Sequence, residues 1–516
     1  MTTPRAFAAG LLCAGSLLSC VAVRAAAQAA PYVPLDDPAY GYVDALMARG
    51  ALRPLTAMER PYHADALADA ATDTTRLGAM GRAWARALRE RAISYLPAEN
   101  GGSPGVTLAL EPGIAATTSS RREIMVADDK GTLAPAISAR GGITIGPVVV
   151  VARGRADGIL EDDPEYTGRA SGSLPVRLEE GYLGARWKYA EVTVGRVSRD
   201  WGPPGLGGLQ LSDAPYSFDH IYGRLGDERL RLQTVAARLD DGPGLYDPTV
   251  RRYLTMHRLA GRWRDLEWAL TESYVYSGPG RRPSLALSNP LVPALATHYL
   301  NDETGNVSAA LDLLWRPKTG MFAIQVMLDD YQFESGNPGD DEPPSYALTL
   351  SAEGLPLQGE HRSFVSYTRV SNLAYRTVDP GDLYMVRGVG LGREFSDYDE
   401  LRMGADLALF PRLPMRAYAA YRRQGSGDYR TPFPPLEDYA ETPTIFLSPV
   451  MRITRFAISG RGEVRRDFGI EADVGYNSVR AMHPLLAPGD RTTQARGGVA
   501  ATARAVWTPG WLRFRR

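Results

Sequence analysis

An arginine, an aspartate and a tryptophan stand side by side at Arg199, Asp200 and Trp201, inside the stretch GRVSRDWGPPGLGGLQLS (195–212). A guanidinium offers planar donors to hydroxyls and carboxylates, and an indole offers an apolar face to the ring of a sugar. The trio therefore suits gripping a saccharide. Tyr216, Phe218, Asp219 and His220 follow closely and add residues of the same types. A structural reading competes: Trp201 as a lumen-packing aromatic, and Arg199 with Asp200 as an internal ion pair that plugs a barrel. Tyr166, Tyr299, Tyr429 and Tyr439 are the other candidates for polymer binding, because they sit in long polar connections of the kind that meet a ligand first.

Catalytic chemistry is poorly served. The six histidines, His63, His220, His257, His298, His361 and His483, are scattered, and none forms a metal pair at helical spacing or an HExxH motif. There is no GxSxG nucleophile elbow. GVGLG (388–392) lacks the dinucleotide spacing and reads as turn chemistry. Asp162/Asp163 and Asp340/Asp341 are adjacent in acidic loops; neighbours on an extended chain point apart, so these pairs suit solvated charge or weak calcium ligation better than an acid/base couple. The expectation is a protein with no catalytic residue, no metal and no cofactor.

The elements that would position these residues are strands. Ala190–Val197 alternates at period two and leads into the Arg-Asp-Trp trio, where Gly202, Pro203, Pro204 and Gly205 end it as a shaped loop. The period-two pattern runs from about Val106 to the end of the chain. Clear hairpins are Tyr253–Ala260 with Leu266–Tyr276, Val307–Trp315 with Met321–Phe333, Arg402–Phe410 with Met415–Arg422, and Phe456–Arg465 with Phe468–Tyr476; Ala495–Trp507 closes the chain. Short turns alternate with long connections rich in charge, Gly and Pro (157–174, 276–300, 334–344, 423–448 and 482–492), the pattern of outer-membrane barrels. Tyr253, Trp263, Tyr274, Tyr276, Tyr418, Tyr421 and Tyr476 fall near strand ends and suit interfacial girdles. About 400 residues at about 22 per strand and connection predict on the order of 18 strands. A soluble sandwich or propeller is the competitor, but nothing repeats at a propeller's period.

Ahead of the strands the period is helical. Asp36-Asp37-Pro38 starts a helix with Tyr42, Val43, Leu46 and Met47 on one stripe, which Gly50 ends; further helices are expected at about 62–71 and 75–95, with a linker at 100–105. These apolar residues suit a small packed core. Residues 1–29 read as an export signal: Arg5, then an apolar run over 6–23, then alanine-rich cleavage sites at 25–29. LLSC (17–20) is an alternative lipoprotein box that would place a lipid on Cys20. Both cysteines, Cys13 and Cys20, lie in this segment, so the mature chain has no disulfide framework.

Of 516 residues 23% are charged, with a net charge of −1, which gives no basic surface for nucleic acid. Beyond the signal no run of about 18 apolar residues occurs, so any membrane passage is by a closed barrel. The expected organisation is all-β: a signal peptide (1–29), a periplasmic helical segment (30–100) and a large antiparallel transmembrane β-barrel of about 18 strands (106–516).

The chain resembles the capsule assembly family typified by Wzi. VPLDDPAYGYVDALMARGAL (33–52) with RPYHADALADA (60–70), the stretch GRVSRDWGPPGLGGLQLSDAPYSFDHI (195–221), and HRLAGRWRDLEWALTESYVY (257–276) followed by LSNPL (287–291) carry the resemblance, and their order is its specific signal. It implies a barrel of about 18 strands with a small periplasmic helical bundle, in the bacterial outer membrane, helping to hold capsular polysaccharide at the cell surface. One departure is the C-terminus, where Phe514 is followed by Arg515 and Arg516. The partners expected are capsular or exopolysaccharide and outer-membrane lipid, with the protein a monomer. A channel for small solutes or saccharides is the alternative function. An anchor implies a plugged lumen, a channel an open one.

Overall fold

The computed structural model describes residues 29–97, 104–120, 122–127, 130–166, 168, 175–240, 249–294, 296–297, 304–329, 343–480, 496–510 and 512–514. Residues 1–28 of the signal segment, His298, Tyr299, Asp340/Asp341 and His483 lie outside the described residues.

Period-two alternation becomes a barrel because each strand has one face for the lumen and one for lipid. In Leu230–Arg238 the buried residues are Arg231, Gln233, Val235 and Ala237, while Leu230 points outward. The same alternation gives Leu183, Val194, Ile221, Leu270, Ile324, Phe456 and Val499 to the outer surface. The barrel strands pair antiparallel, each with the next along the chain except that Arg362–Val370 pairs with Tyr398–Phe410 past a separate small hairpin, and Gly105–Thr117 closes the ring by pairing both Thr132–Ile145 and Arg496–Trp507. Leu512–Phe514 continues that last strand along the same neighbour, so the barrel is closed by 18 antiparallel staves, as expected. Closure removes every sheet edge, which a lipid environment requires.

The short turns fall where the sequence pattern puts them, but at the long-loop ends the strands run three to five residues further than expected, as Val250–Trp263, Leu266–Pro279, Tyr398–Phe410 and Met451–Arg465. Ala190–Val197 is a strand, and Arg466-Asp467 joins Met451–Arg465 to Phe468–Arg480. Trp263, Trp315, Phe322, Phe410, Phe468 and Trp507 are exposed beside the short turns and form the girdle at that end. The expected girdle needs correction at four positions. Trp263, Tyr421 and Tyr476 face outward and are exposed, and Tyr418 is buried in the lumen; Tyr253, Tyr274 and Tyr276 share the outward parity of Leu259 and Leu270 but are covered by the loop that carries Leu287 and Ala294. Parity in the strand chooses the face, inward for Tyr418, while the loop folded over Tyr253, Tyr274 and Tyr276 decides that these outward residues are buried.

Among the described residues three helices precede the barrel: α1 (Ala39–Met47), α2 (Ala64–Ala70) and α3 (Ala79–Tyr95). Asp37 Oδ1 accepts from Ala39 N at 2.8 Å and starts α1, and Gly50, at φ +74°, follows its end. Tyr40, Val43, Leu46, Leu67, Trp84 and Leu88 make one buried cluster. The helices dock on the short turns: Trp84 Nε1 donates to Phe410 O (2.9 Å), Tyr42 Oη to Arg412 O (2.6 Å), and Arg53 Nη1 to Asp265 Oδ1 (3.0 Å). The segment thus covers the short-turn mouth.

Candidate functional site

The loop after Ala190–Val197 does not stand out from the barrel. It folds inward. Trp201 N donates to Leu211 O (2.9 Å) and Gly208 N to Asp200 Oδ1 (2.8 Å), which shapes 200–211 into a compact lobe. Glycine is required at 208, where a Cβ would lie 2.2 Å from Leu211 O. A second long loop, 371–397, packs on this lobe and contains a two-residue hairpin, Met385–Val386 with Val389–Gly390. GVGLG is therefore turn chemistry, as expected. Tyr375 Oη donates to Leu209 O (2.6 Å), Tyr384 Oη to Gln210 O (2.9 Å), and Ser212 N to Leu391 O (2.9 Å).

The barrel wall holds both loops in place. Gln325 Nε2 donates to Trp201 O (2.8 Å), and Arg252 donates to the carbonyls of Gly381 and Leu383. Trp201, Leu209, Leu211, Tyr375, Tyr384 and Leu391 form one core with inward wall residues such as Val235, Leu254 and Met256. Below it, the hub loop meets the helical segment backbone to backbone: Arg60 N to Asp200 O at 2.9 Å and Asp200 N to Arg60 O at 3.1 Å. Chain from the long-loop end and chain from the short-turn end thus touch inside the lumen.

Arg199, Asp200 and Trp201 are all buried here, but they do not act as a trio. Successive residues point apart. Arg199 Nε donates to His220 Nε2 (2.9 Å), and its guanidinium lies 3.7 Å from the Tyr222 ring centroid. Asp200 faces the lobe and Arg60. The expected Arg199–Asp200 ion pair is therefore corrected: each meets a different element. Trp201 has Arg258 5.1 Å from its ring centroid, and Arg258 pairs with Asp312 at 2.5 Å. Burial pushes the Asp200 carboxyl up to about 7, and neighbouring Asp213 adds to this against the pull of Arg60.

The loop tyrosines divide. Tyr166 is half-buried and donates to Val176 O at 3.0 Å. Tyr429 is 1% exposed and belongs to the plug core. Tyr439 is 8% exposed and packs edge-on against Phe433. The expectation that these last two face outward is corrected; both rings are turned into the folded loops. Of the residues near the hub, Phe218 and His220 point inward with Tyr222, while Asp219 points out and pairs with Arg196 at 2.7 Å.

Between the plug, the helical segment and the wall lies a cavity of about 1510 Å³. Its inner end is lined by Arg199, Trp201, Tyr222, Gln233 and Tyr32, and its outer end by α2 and the turns at 147, 187–190 and 227–228. Tyr32 stacks on His63 at 4.3 Å, and both hydrogen-bond Glu191, His63 Nε2 at 2.9 Å. Sequence reading missed Tyr32, Glu191, Tyr222 and Gln233. Tyr222 was within reach, since it shares parity with His220; Tyr32 and Glu191 are 159 residues apart and only closure joins them.

No protein-family model and no curated protein matches the chain. Solved structures do. Wzi of Escherichia coli, described as an outer membrane protein involved in group 1 capsule assembly and a carbohydrate-binding β-barrel, is similar with a TM-score of 0.63 at 12% identity, over 94% of this chain and 100% of that chain. OccD3 of Pseudomonas aeruginosa is similar over 82% of this chain and 95% of that chain, with a TM-score of 0.42 at 10% identity. OccAB2 of Acinetobacter baumannii gives 0.44 at 10% identity, over 81% and 100%. The likeness to Wzi establishes the fold that the resemblance implied, a closed 18-stranded barrel of the bacterial outer-membrane type preceded by a small helical segment.

Proposed function

We propose that this protein binds or organises surface polysaccharide, capsular or exopolysaccharide, at the bacterial outer membrane, without chemistry. The observation that carries the reading is the plugged lumen: the hub loop and the helical segment meet at Asp200 and Arg60, so the barrel is built to hold its loops and not to pass bulk solute. The fold shared with a carbohydrate-binding barrel supports it. The long loops face the outside and meet the polymer, with Tyr166 and Tyr299 as stacking residues; Tyr429 and Tyr439 brace the loops from within. Arg199, Asp200 and Trp201 set the plug that fixes those loops. The helical segment lies in the periplasm and caps the barrel, since short turns face that compartment in outer-membrane barrels. The protein acts as a monomer in contact with lipid.

The test is deletion of the gene, with cell-bound and shed polysaccharide measured separately. Polymer moving from cells to medium, total unchanged, is expected; complementation with Tyr166→Ala should restore attachment only in part. Unchanged attachment in the deletion strain would overturn the reading.

A further inference from the structure

The cavity beside the plug has one donor too many. Four arginines line it: Arg60, Arg186, Arg199 and Arg224. Arg60 pairs with Asp44, Arg186 with Asp65, and Arg224 with Glu228 at 2.7 Å. Arg199 differs. Among the described residues no carboxylate oxygen comes within 4.0 Å of its guanidinium. Its partners are His220 Nε2 and, at 3.4 Å, Tyr32 Oη. His220 Nδ1 faces Phe218 O at 3.0 Å, so that nitrogen carries the proton and Nε2 accepts from Arg199; the imidazole is neutral and offsets no charge. Glu191, the carboxylate of this network, already accepts from Tyr32 Oη and His63 Nε2.

A buried cation without a paired anion is costly, and evolution removes or partners it unless something else completes it. A second observation points the same way. Gln233, 1% exposed at the inner end of the cavity, has no partner for its Oε1, although its Nε2 is fully used by Glu59 and Tyr222. The cavity therefore ends in an unpaired guanidinium and a free amide acceptor. Its outer end carries Trp187, half-buried, and Tyr189, 51% exposed, with Lys188 4.9 Å from the Tyr189 ring centroid. Aromatic faces at the mouth, a cation and an acceptor at the floor, and a volume above the ~300–1,000 Å³ of a drug-sized pocket suit a short oligosaccharide that carries an acidic group.

We propose that this cavity, open toward the short turns, binds a carboxylated saccharide, with the carboxylate on Arg199, a hydroxyl on Gln233 and a ring stacked on Trp187 or Tyr189. The site lies at the end opposite the long loops and does not depend on those loops holding polymer. Its carboxylated sugar has two possible sources on the periplasmic side: a uronate of an exported polymer, or the muramic acid of wall glycan.

The experiment is a titration of the purified full-length barrel in detergent, followed by calorimetry, with trigalacturonate, its methyl ester and a muramyl disaccharide. Binding of either acid is expected, weakened about tenfold or more for the methyl ester, the worth of a charge-assisted hydrogen bond. Preference between the two acids assigns the source. Arg199→Gln should cost at least as much as the ester, with folding checked by heat-modifiable migration. Ala66→Trp, placed on the α2 side of the cavity and away from Arg199, should block binding even if Arg199→Gln does not fold. Equal affinity for acid and ester, no effect of Ala66→Trp, or no binding of either acid through the millimolar range would each overturn the proposal. Because the readout is binding in vitro, its failure leaves polymer retention in cells untouched, and the reverse also holds.

Discussion

At the scale of residues, adjacency in sequence was a poor guide to partnership. Arg199, Asp200 and Trp201 meet three different surroundings: the Tyr222 face, the Arg60 backbone and the Gln325–Arg258 wall. Asp200 yields a pH prediction. Burial, then the charge of Asp213, raises its folded pKa to about 7, above its unfolded value. A raised carboxyl contributes stability that is fully present below the unfolded pKa and lost as pH rises through about 7. Asp200→Asn keeps an oxygen for Gly208 N and cannot ionise. The variant should match the wild type in acid and exceed it in thermal unfolding midpoint above neutrality. A gap that is constant with pH would place the titration elsewhere.

At the scale of elements, the helical segment is held by capping and by ionic contacts. The N-terminus of α3 has no local side-chain cap. Glu360, in the turn between Tyr346–Pro356 and Arg362–Val370, reaches across and accepts from Met80 N (2.9 Å) and Gly81 N (3.0 Å), complementing the helix dipole. Asp37 is held by Arg91 Nη2 at 2.8 Å, and Arg91 also contacts Glu111 on the wall. Burial pushes the Asp37 carboxyl up, but Arg91 and its hydrogen bonds outweigh this and hold it below the usual range. Gly41 packs so closely that a Cβ there would lie 1.9 Å from Arg461 O. Glu360→Ala should cost about 1 kcal/mol, the worth of a helix cap, and should make 76–97 more sensitive to limited proteolysis while the barrel stays intact. Equal cleavage rates in variant and wild type would mean that the apolar cluster alone holds α3.

At the scale of the whole molecule, the barrel is a wall around a second, smaller fold. The plug core contains loop residues (Trp201, Leu209, Tyr375, Tyr384, Leu391) packed on lumen-facing wall residues (Val235, Leu254, Met256, Ile453). Such a lumen should carry little current. In planar bilayers the wild type should show low conductance, and deletion of 200–213 with a short Gly-Ser link should raise it several-fold, because the lobe occupies the lumen between the Gln325 side of the wall and Arg60. High conductance in the wild type would favour a channel over an attachment role.

The sequence by itself determined the barrel, its strand number, the helical segment and most turn positions. Period two, strand lengths near ten and short-against-long connections are local properties, and each strand of Leu230–Arg238 type carries its own inside and outside. It also marked the hub as a loop, through Gly202, Pro203, Pro204 and Gly205. What it left open was where the loops go. Tyr429 and Tyr439 are polar-loop aromatics by composition, yet their rings are buried, because a loop long enough to fold back exchanges solvent for the plug core, at Tyr429, or for its own aromatic neighbour Phe433, at Tyr439. Tyr32 meets Glu191, and Arg60 meets Asp200, only after the barrel has closed and the N-terminal segment has entered it. Period and turn chemistry act within a few residues; burial and charge pairing act across the lumen, and only the tertiary structure decides which residues share it.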